Sequence, residues 1–461
     1  MQPIESRAQE TARWLRQLAS HVDYTHFRKA WLHPITKQAE QGYLAAVYER
    51  VARRANSEGE YFLAYDAAEQ GLRCATESGF PTSVLTALKA TALARSGATM
   101  KALELIDQHI ATLGPQPPDS SIGSAKARIL RDIAFRCTDP AKCRALFLEA
   151  ADWAATARTR ALCEGADWTY PANQEALFRF LAGDHAPAHA GAAALIHHFS
   201  TAPDSASMWS QTSLAEMHLI LGNLDAAGNH YRAAAQQGTS FPGDVAANRA
   251  VASILLTHLA RSRQVNPALI EEWFPKPVLT VFAGHLPDRA DRPSPRLPEA
   301  ICRPGGTIGH SIAARLSLIQ PHEAICATAP GGDTLFSEAV LAAGVHLTIV
   351  EPFQRTRITE VAHTYGLDWP ARLHRIYEAA MRTEAITCAE DADEESQCEY
   401  ANSVLLGTAM LRAQRINARL HALVLWDESS PSKRGGTGQF VSLCRQAGVT
   451  VEILNPHHLA D

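Results

Sequence analysis

The residues best suited to hold a small phosphorylated molecule are glycines that follow short apolar runs in the second half of the chain. Ala329–Phe353 reads APGGDTLFSEAVLAAGVHLTIVEPF, so an apolar run leads into Pro330-Gly331-Gly332-Asp333 and then into a helical stretch. A glycine has no Cβ, so its N–H can approach an anion closely, and the start of the following helix adds a favourable dipole. Gly331, Gly332 and Asp333 are therefore candidate ligand contacts. The alternative is a plain turn in which Asp333 caps the helix, worth about 1 kcal/mol. Glu338, further along that helix, has the chemistry of a ribose ligand or an acid–base catalyst, although a carboxylate there also simply complements the helix dipole. Phe282-Ala283-Gly284-His285 closes an earlier apolar run and nominates Gly284 and His285. Arg292, Arg296 and Arg303 follow in a proline-containing loop. Guanidinium groups clamp phosphate oxygens in pairs, but Asp288, Asp291 and Glu299 are equally available to them. Lys433-Arg434-Gly435-Gly436-Thr437-Gly438 adds Gly435 and Gly436. No Gly-x-Ser-x-Gly, His-Glu-x-x-His or Walker A pattern occurs, which sets aside serine hydrolase, zinc protease and P-loop readings.

The elements that must position these residues alternate regularly. Apolar runs at Val278–Ala283, Glu323–Ala327, His346–Val350, Ala385–Cys388, Leu420–Trp426 and Thr450–Leu454 read as strands. Helical stretches at Ile308–Ile319, Leu335–Ala343, Trp369–Met381, Tyr400–Ala418 and Gly438–Ala447 lie between them. Strand–helix alternation of this kind predicts a doubly wound parallel sheet. In such sheets ligands bind outside the carboxyl ends of the strands, where the glycine-rich turns fall. Phe274-Pro275-Lys276-Pro277 marks the boundary, because two prolines cannot continue a helix. The expected domains are residues 1–274 and 275–461.

Gly332, Asp333, Glu338, Ala339, Gly344, Pro352 and Phe353 together resemble the SLOG superfamily. This Rossmann-like group includes the LOG phosphoribohydrolases and the DprA/Smf proteins. The variant most similar is the one found beside helical repeats and nucleotide cyclases in bacteria. Phe282-Ala283-Gly284-His285, Arg292 and Arg296 resemble its first loop, and Trp426-Asp427 with Gly435-Gly436 its last. The resemblance covers about 185 residues. It implies a Rossmann-like domain that binds a nucleotide-derived ligand. LOG enzymes carry PGG-x-GT-x-x-E, whereas here Pro330-Gly331-Gly332 runs directly into Asp333-Thr334 and Glu338 stands four residues after Thr334. The departure favours binding over hydrolysis.

The first 274 residues carry helical periodicity almost throughout, as in Leu214–Ala234, LAEMHLILGNLDAAGNHYRAA. A glycine followed five residues later by alanine recurs at Gly59/Ala64, Gly97/Ala102, Gly183/Ala188 and Gly222/Ala227. The spacing fits stacked helical hairpins, with glycine in the turn and alanine where two helices come close. It resembles a degenerate tetratricopeptide (TPR) array, similar to the TRAF-binding-type region often joined to the SLOG variant. A TPR-like α-solenoid implies a concave groove and a protein partner.

Composition sets the remaining bounds. The net charge is −5 with no large basic block, so bulk nucleic-acid binding is not expected. Nine cysteines without a CxxC pair argue against a disulfide framework or a zinc knuckle, so no metal site is expected and a reducing, cytoplasmic setting is. No apolar run of 18 residues occurs, so no membrane partner is expected. The leading reading is a bacterial signalling protein, in a defence setting by resemblance, with a nucleotide-derived ligand, a protein partner and homo-oligomer formation as an option. The rivals are an N-glycosidic hydrolase using Glu338 and a ligand-free scaffold.

Overall fold

The computed structural model describes residues 41–79, 81–201, 207–263, 265–288, 296–297, 299–303, 305–366, 368–386, 393–428 and 434–459. They divide into two compact units, Met1–Pro275 and Lys276–Asp461.

The first unit is helical. Its hairpins pair α1 (Gln41–Glu58) with α2 (Tyr61–Ser78), α3 (Ser83–Arg95) with α4 (Thr99–Thr112), and α5 (Ser120–Ala134) with α6 (Pro140–Glu164). Two more pair α7 (Thr169–Leu181) with α8 (His185–Thr201) and α9 (Met208–Leu221) with α10 (Leu224–Gln237), before α11 (Pro242–Arg263) and α12 (Leu269–Trp273). Gly59, Gly97, Gly183 and Gly222 occupy four of the hairpin turns with φ of 78°, 100°, 80° and 84°. Those left-handed conformations suit glycine because no Cβ is strained. Ala64, Ala102, Ala188 and Ala227 are fully buried, as close helix approach requires. The α5–α6 turn has no such glycine; there Asp139 accepts the Ala141 N–H at 2.9 Å and Pro140 opens the helix.

The first helix of each hairpin packs on the first helix of the next, from α1 through α3, α5, α7 and α9 to α11, and α11 in turn packs on α1. The first helices therefore form a ring in which the last described hairpin partner meets the first. The seam is tight. A Cβ at Gly243 would stand 2.4 Å from Gly59 N. Arg95 spans the seam, donating to Asp244 Oδ1 at 2.9 Å and to the Asn56 carbonyl at 2.9 Å.

The second unit is a six-stranded parallel sheet in the order β4-β3-β2-β1-β5-β6. The strands are β1 (Val278–Gly284), β2 (Glu323–Ala327), β3 (His346–Glu351), β4 (Arg382–Ala385), β5 (Arg419–Leu425) and β6 (Thr450–Leu454). The helices are α13 (Thr307–Ile319), α14 (Gly332–Ala342), α15 (Arg355–His363), α16 (Trp369–Ala379), α17 (Glu394–Arg415) and α18 (Thr437–Gln446). Strand order reverses at β1. Helices pack on both faces of the sheet. Ile312 of α13, Phe336 of α14 and Leu373 of α16 share one core with Phe282 and Leu423. Leu405 of α17 and Phe440 of α18 share the other with Val281 and Val424.

Two elements differ from expectation. β4 lies three residues earlier than the Ala385–Cys388 run, because register with β3 pairs Thr348 with Arg382 and Glu351 with Ala385. It is an edge strand with one neighbour, so its own apolar residues do not decide where pairing starts. α15 was not expected, since it buries only Ile358 and Ala362 of its nine residues and shows little apolar periodicity.

Candidate ligand site at the carboxyl edge of the sheet

The turn from β2 into α14 packs directly on the end of β1. Gly331 has φ 97°, and a Cβ there would stand 2.5 Å from the His285 carbonyl oxygen. A Cβ at Gly332 would stand 2.8 Å from Gly284 Cα. Gly332 N donates to the His285 carbonyl at 2.9 Å, and Gly284 N donates to Asp333 Oδ1 at 3.1 Å. The close approach that these glycines permit is thus between two segments of the chain. The Gly332 N–H already has an acceptor. Asp333 caps β1 across the turn, and the residue that flanks its own helix on the N-terminal side is Gly331.

A cavity of about 200 Å³ opens beside this turn, reached by Gly284 and Leu286 after β1, Thr328 after β2, Phe353 after β3, and α15 and α17. Asp333 lines it and is buried, and burial pushes its carboxyl up to about 7 despite the Gly284 N–H. That carboxyl can therefore give or take a proton near neutrality. Thr328 Oγ1 accepts the Tyr377 hydroxyl at 3.1 Å.

Arg357 of α15 supplies the cation. Its guanidinium lies 4.5 Å from the Phe353 ring centroid, donates to Gln397 Oε1 at 3.3 Å and stands 3.4 Å from Glu394 Oε2. Arg357 and Glu394 are 42% and 75% exposed, so this ion pair is weak and the charge remains available to an anion. Asn402 of α17 also lines the cavity; its amide donates to the Gly436 carbonyl at 3.2 Å and to Gln439 Oε1 at 3.0 Å. Gly435 reaches the cavity with φ 74°, held where a Cβ would stand 2.3 Å from Cys398 Cβ. Gly436 stands before α18 as its N-terminal flanking residue.

The other expected site residues point elsewhere. His285 Nε2 lies 3.0 Å from Asp427 Oδ1 and 3.2 Å from the Asp427 N–H, and both residues are buried. This pair ties the ends of β1 and β5, the point where strand order reverses. Sheets of this kind usually take ligands at that point; here the cavity is lined by the ends of β1, β2 and β3, and neither His285 nor Asp427 lines it. Burial, then Arg296, hold the His285 imidazole below its ordinary pKa, with Asp427 opposing. Arg296 belongs to a loop built on Asp288, whose Oδ2 accepts the Arg296 N–H at 2.6 Å and the Leu297 N–H at 2.7 Å. Arg292 lies outside the described residues.

Glu338 is engaged by Arg372 of α16 through two hydrogen bonds, Nε to Oε1 at 2.7 Å and Nη2 to Oε2 at 2.5 Å. Arg372 is almost fully buried, also donates to the Cys302 carbonyl at 3.2 Å, and stacks on Trp369 at 4.2 Å. A carboxylate locked this way cannot shuttle protons without abandoning a buried cation. It clamps α14 to α16 and does not line the cavity.

Sequence reasoning missed Arg357 and Asn402. Neither belongs to a glycine-rich motif. The available signal was the acidic stretch from Glu390 to Glu395, of which Asp393, Glu394 and Glu395 cap and begin α17. Carboxylates favour a helix N-terminus, and a helix starting there brings its first turns to the strand ends. Among the described residues, no group of three or more His, Cys, Asp or Glu is placed to hold a metal ion. No described helix is long and apolar enough to cross a membrane. Compared with known families and curated proteins, the chain matches no family model and no curated relative.

Proposed function

We propose that the α/β unit is a receptor for a small nucleotide-derived ligand and that the helical unit serves protein–protein interaction. The observation that carries this is the cavity at the carboxyl edge of the sheet, where Arg357, Phe353 and Asp333 converge. Arg357 offers a partly exposed guanidinium to phosphate oxygens. Phe353 offers a ring face for a base. Asp333 reads a hydroxyl or ring nitrogen, as donor when protonated and acceptor when ionised. The resemblance to SLOG domains supports the nucleotide, and supplies the bacterial signalling and defence setting. The array of helical hairpins supports a protein partner, with a second copy of the chain as one candidate.

Calorimetry with the full chain and AMP, ADP, cyclic AMP and NAD tests the reading. At least one should bind saturably, and Arg357→Ala should weaken it ten-fold or more while changing affinity for the free nucleoside by less than three-fold. A folded wild type that binds none of them returns the second unit to a scaffold.

A second reading rests on Asp333. Asp333 is a buried carboxyl that lines the cavity and Glu338 does not line it, so in this reading N-glycosidic hydrolysis runs through Asp333. Release of free base, abolished in Asp333→Asn and retained in a folded Glu338→Gln protein, would establish that chemistry.

A further inference from the structure

The helical unit holds a second cavity, independent of the ligand reading above. It measures about 220 Å³ and is walled by α5, α7, α9 and α11. A dry cavity of about 150 Å³ is enough for benzene, so this one takes a single ring with a substituent.

Its polar wall is not satisfied by the protein. Asn173 and Gln174 of α7 are 5% and 2% exposed. Asn173 gives its amide N–H to Glu216 Oε2 at 2.6 Å, and Gln174 gives its own to the Tyr170 hydroxyl at 3.2 Å. Among the described residues, the carbonyl oxygens of both side chains, Asn173 Oδ1 and Gln174 Oε1, are buried without a donor. Leaving such acceptors unpaired is costly, so a buried pair calls for a partner. Glu216 of α9 sits beside them, 4% exposed, with its carboxyl pushed up to about 7 by burial and held down only in part by Asn173 and Arg131. Arg131 does not neutralise it, because its guanidinium gives Nε and Nη2 to Asp132 Oδ1 at 2.9 and 2.7 Å. The wall therefore holds a buried carboxyl, a second carboxylate in Asp167 and two unfilled acceptors, and its lining cation, Arg131, is already paired with Asp132. Trp209 and Tyr170, 49% and 41% exposed, flank it with aromatic faces.

We propose that this cavity binds a small organic molecule through a primary ammonium group, placed among Glu216, Asn173 Oδ1 and Gln174 Oε1, with its apolar body against Trp209 and Tyr170. An ammonium carries three N–H donors and no acceptor, which matches two amide oxygens and a carboxylate. Its charge keeps Glu216 ionised, and nearby aromatic faces favour a cation further.

The test uses benzylamine, 2-phenylethylamine and n-butylamine, each beside the alcohol of the same shape, by calorimetry on the full chain. At least one amine should bind saturably and ten-fold or more tighter than its alcohol. Glu216→Gln, which keeps the volume, should weaken that amine at least ten-fold with an unchanged helical circular-dichroism signal. Gln174→Leu, which removes an acceptor without a charge, should weaken it several-fold and guards against a folding artefact in the first variant. The proposal is overturned if no amine outbinds its alcohol, or if affinity is unchanged in both folded variants. Tighter binding of the alcohols would also overturn it, marking a site for neutral hydroxylated molecules.

Discussion

Among the described residues, each unit buries one carboxyl that its surroundings push up to about 7, Asp333 in the α/β unit and Glu216 in the helical unit. The two are handled differently. Asp333 accepts a backbone N–H from Gly284 and so serves the fold as well as the cavity. Among the described residues, Glu216 accepts from the side chain of Asn173, whose own carbonyl oxygen has no donor. A third arrangement sharpens the contrast. Glu323 of β2 is gripped by Arg412 of α17 through two hydrogen bonds in full burial, and Glu338 by Arg372 in partial burial. Where a buried carboxylate has a guanidinium, its charge is fixed and its role is structural. Where it has only an amide, its proton remains negotiable and the space beside it is open to a ligand.

The largest expected effect comes from breaking a locked pair. Glu323→Ala strands the Arg412 cation in the interior and should cost about 3–5 kcal/mol in urea unfolding. Glu338→Ala should cost less, roughly 2 kcal/mol, because a third of that carboxylate already faces solvent. An equal or larger loss at Glu338 would show that exposure does not rank the two clamps. Neither change should alter proton uptake near neutrality.

Next in size is pH dependence. Asp333 and Glu216 have folded pKa values of about 7, against about 4 in an unfolded chain. Between those values the folded state holds protons that the unfolded state has released. Stability therefore falls as pH rises from about 4 through about 7, and is level beyond it. Glu323 runs the other way: with its pKa lowered, by Arg412 against the effect of burial, it contributes above the unfolded value and loses that contribution in acid. Unfolding free energies from urea titration at pH 5 and 8 should differ less in Asp333→Asn and in Glu216→Gln than in wild type, by about 1–3 kcal/mol each. Identical slopes in wild type and both variants would remove the unpaired carboxyls from the comparison.

Gly332→Ala tests what the glycine turn is for. A methyl there meets the Gly284 backbone, so a loss of about 1–3 kcal/mol is expected. Unchanged stability with lost ligand affinity would mean that the turn is shaped for an anion. The smallest effect belongs to Arg357→Ala, which should move stability by no more than about 0.5 kcal/mol while weakening a phosphorylated ligand.

Particular residues show how much of this was legible. Parallel strands and intervening helices follow from alternating runs such as Val278–Ala283 and Ile308–Ile319, because both periods report burial directly. The hairpin turns follow from Gly59, Gly97, Gly183 and Gly222, because a left-handed turn and a close helix approach each demand one residue type. Pairings across the fold leave no local trace. Nothing near Glu338 announces Arg372, 34 residues away, and nothing near Arg95 announces Asp244, 149 residues away. The ring of first helices depends on the second kind. So does the site: the glycines drew attention to the right turn, but Arg357 and Asn402 come from helices whose placement only the sheet order determines.

The most direct test of the contrast between locked and open carboxyls is a crystal structure of the full chain grown with ADP. Phosphate oxygens within hydrogen-bond distance of Arg357, with the adenine against Phe353 and a polar atom of the nucleotide on Asp333, are the predicted result. Nucleotide density bound at Glu338 and Arg372 instead, with their ion pair opened, would contradict it.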